Sequence, residues 1–109
     1  MQNPGQRTPK FLAIAATADG ANTIIAAIAG TRIQVISYVV MVTTSGNVEF
    51  QDTDGTVLAT FPLSANGGVS YAGGLYAPAI ETLPGKGLRI NNPAGVDTYG
   101  HLCYLETAP

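Results

Sequence analysis

The chain has 109 residues, enough for one domain with one core. Only 11% of it is Asp, Glu, Lys or Arg, against about 25% in ordinary soluble domains. With a net charge of −2 and 46% apolar residues, the composition excludes intrinsic disorder and a phosphate-tracking basic surface.

A free monomer keeps itself soluble with surface charge. This chain has little to offer, so its surface is expected to be covered in part by other chains. No apolar run reaches the roughly 18–20 residues of a membrane helix. The single cysteine, Cys103, forbids an intrachain disulfide.

In chain order, residues 1–10 read as an extended arm. Pro4, Gly5 and Pro9 interrupt it and almost nothing in it is apolar, so it needs a neighbouring chain to hold it. Arg7 and Lys10 are the arm's candidate contacts with an adjoining protein. Arg7 and Lys10 ahead of Phe11–Ala16, with Ala16-Thr17-Ala18 behind, also outline a signal peptide, but the apolar stretch is short for one.

From residue 11 to 109 the chain reads as a single β domain. Dense Gly and Pro punctuation separates short β-branched or aromatic runs, the pattern of a sandwich or barrel. About eight strands are expected, at 11–17, 23–29, 32–44, 48–52, 56–61, 69–72, 87–91 and 99–106. The alanine-rich stretch 13–29 has a helical alternative. Gly20 and Gly30 leave too short a span for it, and Ile24, Ile25 and Ile28 favour strands.

Two strands alternate clearly. Val48 and Phe50 oppose Glu49 and Gln51 across one strand. Leu102 and Tyr104 point inward in the last strand, with His101 and Cys103 outward. The third strand is apolar on both faces. Strict alternation places Val35, Val39 and Met41 on one face and Ile36, Tyr38, Val40 and Val42 on the other. The second set is therefore the expected subunit interface, since a bare apolar face that large needs a cover.

Residues able to carry chemistry are few. His101 and Cys103 share a strand face but fall short of a zinc set. Asp52-Thr53-Asp54-Gly55 starts like a calcium loop, yet Asp-Gly between apolar runs signals a hairpin. Ser37 lies mid-strand, outside any nucleophile-elbow context. Gly85-Lys86-Gly87 lacks P-loop spacing. Glu49, Glu81 and Glu106 show nothing that singles them out as a catalytic pair. Tyr71, Tyr76 and Tyr99 are the residues for a sugar-stacking cluster, although tyrosines more often finish a core or an interface. No catalytic, metal or cofactor site is expected.

Four segments carry a family resemblance. They are Arg32-Ile33-Gln34-Val35-Ile36-Ser37-Tyr38; Val48-Glu49-Phe50 followed by Leu63-Ser64-Ala65-Asn66-Gly67-Gly68; Glu81-Thr82-Leu83-Pro84-Gly85-Lys86-Gly87-Leu88; and Gly100-His101-Leu102-Cys103-Tyr104-Leu105-Glu106. Together they resemble the bacteriophage head-decoration, or capsid cement, proteins. The tryptophan usual before Glu-Thr is missing; the nearest aromatic is Tyr76, with Pro78 between. The resemblance implies a jelly-roll sandwich and a homotrimer on the virion. It implies the major capsid protein as partner, with no nucleic acid, no membrane and no enzymatic activity. A tail-tip or tail-fibre module of the same fold, and a carbohydrate-binding sandwich, are the alternatives.

Overall fold

The computed structural model describes residues 8–74 and 78–108. The described residues form nine strands and no helix. They are β1 (Lys10–Ala16), β2 (Gly20–Ile25), β3 (Arg32–Val42), β4 (Gly46–Asp52), β5 (Val57–Leu63), β6 (Gly68–Ala72), β7 (Ile80–Glu81), β8 (Leu88–Asn92) and β9 (Thr98–Thr107).

The strands make two antiparallel sheets. Sheet A runs β1-β9-β3-β6, with β7 also paired to β3, and sheet B runs β2-β8-β4-β5. The sheets pack sandwich-like on a shared core. Phe50, Ile90, Leu88 and Val48 enter it from sheet B, and Ile33, Val35, Val40 and Leu102 from sheet A. Tyr38 anchors its centre, edge-on to Phe50 at 5.5 Å and tilted against Phe61 at 5.5 Å. Each expected strand has a counterpart, and the short β7 is the addition.

Most boundaries shift by one to four residues, β2 ending at Ile25 and not at 29, and two of the shifts have local reasons. The second strand starts three residues early, at Gly20. The Asn22 side chain closes the preceding turn, donating to Ala18 O (2.9 Å) and Gly20 O (3.1 Å) and accepting from Ala18 N (3.2 Å). Gly20 supplies the positive φ of 81° that this turn requires. At the arm, β1 already claims Lys10, whereas residues 1–7 lie outside the described residues.

The Asp52–Gly55 hairpin forms as read. Asp52 Oδ1 accepts from the Asp54 and Thr56 amides at 2.9 and 3.1 Å, and Gly55 takes φ 92°. Lys86 Nζ lies 2.9 Å from Asp54 Oδ2, where a bound cation would have to sit.

At the opposite end Asn92 ties the sheets together. From β8 in sheet B its Nδ2 donates to Ala16 O of β1 at 2.7 Å, and its Oδ1 accepts from Thr98 Oγ1 of β9 at 2.7 Å. Gly100 lets β9 and β3 close up, because a Cβ there would collide with the Val39 carbonyl.

The third strand corrects one expectation. Tyr38, Val40 and Val42 are buried in the chain's own core, on the same face as Ile33 and Val35, so they are not a subunit interface. The cause is a bulge. Val35 pairs with Tyr104 and Ser37 with Cys103, leaving Ile36 as the extra residue. One extra residue shifts the alternation, so every side chain beyond it changes face. Ile36 is also buried, in a separate small cluster with Cys103 and Leu105. It is unavailable to a partner as well.

Candidate functional site

The outward surface of sheet A is built from cross-strand partners in three rows. Ala15, Tyr99, Met41 and Gly68 form the first row across β1, β9, β3 and β6. Ala13, His101, Val39 and Ser70 form the second, and Phe11, Cys103, Ser37 and Ala72 the third. Direct partners share a face, so these side chains lie together on one surface of the sheet. None of them is Asp, Glu, Lys or Arg.

Three large apolar side chains stand open on that surface. Phe11 is 79% exposed, Met41 50% and Tyr99 43%. Beside Met41 lies a groove of about 290 Å³ lined by Val39, Met41, Asn66, Gly68, Val69 and Ser70. Scattered exposed apolar residues are ordinary, but a contiguous apolar face marks an interaction surface.

Farther along the same face, Gln34 pairs with Leu105 and Glu81, and Arg32 with Thr107, so the Arg32–Glu81 ion pair lies at its end. The other charges sit elsewhere. Lys10 pairs with Glu106 at 3.1 Å, Arg32 with Glu81 at 3.3 Å and Lys86 with Asp54 at 2.9 Å. Glu49 and Arg89 lie on the outer surface of sheet B. There Gln51 donates to Glu49 Oε1 at 2.8 Å and accepts from Arg89 Nε at 2.8 Å. That surface is polar and bonded to itself.

Two titratable side chains of sheet A, Cys103 and Tyr38, serve packing. Burial pushes the Cys103 thiol above its usual range, and a hydrogen bond with Ser37 opposes that only in part. Burial also raises the Tyr38 hydroxyl, with Tyr71 adding to it. Tyr38 and Tyr71 stack at 6.1 Å. A buried thiol held in its neutral form is a poor nucleophile.

The other sequence candidates do not converge. His101 and Cys103 share the outer face, and among the described residues no group of three or more His, Cys, Asp or Glu could hold a metal. Tyr71 pairs with Tyr38 on the core side of sheet A, whereas Tyr99 lies on the outer side, and Tyr76 falls outside the described residues. The sugar-stacking cluster therefore lacks a common face for Tyr71 and Tyr99. Lys10 is engaged by Glu106, and Arg7 lies outside the described residues.

Sequence reasoning missed Phe11 as a surface residue, and offered Tyr99 as an exposed aromatic only in a sugar-stacking cluster. It placed Met41 and Val39 together correctly but grouped them with Val35, which the bulge sends into the core. No protein-family model, curated protein or solved structure matches the chain.

Proposed function

We propose that this chain is a bacteriophage capsid decoration protein, a jelly-roll homotrimer that seats on the outer surface of the head and stabilises it. The observation that carries the reading is the charge-free stretch of three rows on the outer surface of sheet A, with Phe11, Met41 and Tyr99 open to solvent. A chain this poor in charge that still leaves such a surface bare is built to be covered.

The fold assignment draws on strand order. With the two-residue β7 set aside, the orders β1-β9-β3-β6 and β2-β8-β4-β5 support the reading of eight strands folded as two Greek keys. The resemblance of segments 32–38, 48–68, 81–88 and 100–106 to the cement proteins supplies the partner. The outer face of sheet A seats on the major capsid protein. Arg7 and Lys10 at the chain's start add contacts beside it.

The mechanism is a mechanical link. Each contact across a joint between capsid subunits must break before the shell opens. Burying apolar surface contributes about 25 cal/mol per Å², and the contribution repeats at every joint. The chemistry needed is burial and shape, with no catalytic group.

The test is cosedimentation with phage heads stripped of tails. The wild type is expected to pellet with heads. Met41→Lys and Tyr99→Lys are expected to weaken binding at least tenfold, and Thr60→Lys on sheet B to leave it unchanged. A protein that stays in the supernatant with heads but pellets with tails would favour a tail module. A protein that binds neither would end the virion reading.

A further inference from the structure

A β-sandwich has four edge strands, here β1 and β6 of sheet A and β2 and β5 of sheet B. Edge strands expose unpaired amides and carbonyls, and proteins protect them with proline, charge, bulges or shortness. β5 contains Pro62, and β2 breaks register between Thr23 and Ile25. β6 has only five residues and starts at Gly68. β1 differs from all three. Its one charge is Lys10 at the strand's start, and the six residues that follow, Phe11-Leu12-Ala13-Ile14-Ala15-Ala16, hold no charge, proline or glycine. It pairs with β9 in unbroken register, and among the described residues no strand covers its other side.

We propose that the free edge of β1 is where a second copy of this chain adds, antiparallel, about a two-fold axis through Ala13. This register pairs all seven residues of the strand. It sets Phe11 opposite Ala15, Leu12 opposite Ile14, Lys10 opposite Ala16, and Ala13 opposite itself.

The sequence suits that pairing at each position. The most exposed large apolar side chain, Phe11, meets an alanine and has room to lie flat across it. Leu12, only partly buried within one chain, closes against Ile14 of the second copy and extends the core. The two lysines stand at opposite ends of the pair, about 20 Å apart at ~3.3 Å per residue, so like charges do not meet. A foreign strand would need to match this large-to-small alternation by chance, whereas a second copy matches it by symmetry.

The pairing also extends the surface described above. Each of the three uncharged rows runs on into the second copy, across four strands of each five-stranded sheet A. The contact joins one copy to one other, whether those are free chains or members of neighbouring trimers. It does not rest on the capsid reading. A chain that pairs but ignores phage heads keeps the edge and loses the capsid, and the reverse result does the opposite.

The experiment measures solution mass by light scattering for the wild type, Ala13→Lys, Ala13→Glu and their equimolar mixture. Ala13 is exposed on the outer face, and thermal unfolding checks that each variant folds. Either substitution places like charges opposite each other, so each variant alone should fall below the wild-type mass, to the single chain if free chains pair and to the trimer if trimers are joined. The mixture should regain the wild-type mass, because lysine then faces glutamate. Masses unchanged by both substitutions, or a mixture that stays at the lower mass, would overturn the proposal. The same pair of substitutions at Thr60 should change nothing.

Discussion

The two outward surfaces of this sandwich are made from the same kind of strand and face the same solvent, yet they differ in kind. On sheet B, Glu49, Gln51 and Arg89 bond to one another across β4 and β8, and the surface is satisfied by its own side chains and water. On sheet A, three rows of partners cross four strands without a charged residue, and Phe11, Met41 and Tyr99 stand open. A chain with twelve charged residues does not spread them evenly. The three central rows of sheet A hold none of them, and Arg32 and Glu81 stand at the end of that face.

Four substitutions separate what the faces share from what divides them. The largest effect strikes the common core. Phe50→Ala removes a buried ring that touches both Tyr38 and Phe61, and should cost about 3–5 kcal/mol in denaturant unfolding, loosening both faces together. Asn92→Ala comes next. It strips the bonds to Ala16 and Thr98 that tie sheet B to sheet A, and should cost about 1–3 kcal/mol because buried partners are left unmet.

Gln51→Ala sharpens the contrast from the polar side. Losing the ladder between Glu49 and Arg89 should cost roughly 0.5–1.5 kcal/mol and leave self-association and head binding alone. Met41→Lys does the converse. An exposed change of this kind should move stability by no more than about 0.5 kcal/mol, while binding through sheet A falls at least tenfold.

The pH response tests the two packed groups between these faces, and it has a definite sign. Cys103 and Tyr38 both hold their protons more tightly in the folded chain than their ordinary values of 9.0 and 10.0 imply. Between the ordinary and the raised value the unfolded chain binds fewer protons, so stability falls as pH rises. The contribution of these two groups to the melting temperature should be constant below pH 9.0 and then decline, first with Cys103 and then, above pH 10.0, with Tyr38. Cys103→Ser should remove the earlier part of the decline and Tyr38→Phe the later part.

Much of the fold was legible because it rests on local signals. Gly and Pro punctuation located the strands, Asp54-Gly55 located a hairpin, and the alternation in Val48–Asp52 and in 99–106 gave the inward faces of β4 and β9. The site was less so. Ile36 looks like any apolar strand residue, and only the partner strand shows that it is surplus to the pairing. That one residue moves Tyr38, Val40 and Val42 from an expected interface into the core, and frees Met41 to the surface. Phe11, and the grouping of Tyr99 with Met41, were hidden for a related reason. Which residues share a face depends on which strands flank them, and strand order in a sandwich is set by long-range pairing that no window of sequence contains.

The most direct test of the contrast is hydroxyl-radical footprinting of the protein free and bound to phage heads. Met41 and Tyr99 lie on the sheet A face, and Tyr71, 45% exposed, lies off it and serves as the internal reference. Oxidation of Met41 and Tyr99 should fall at least fivefold on binding, with Tyr71 unchanged. Equal reactivity in both states, or protection confined to sheet B, would contradict the assignment of the uncharged face as the surface this chain is built to bury.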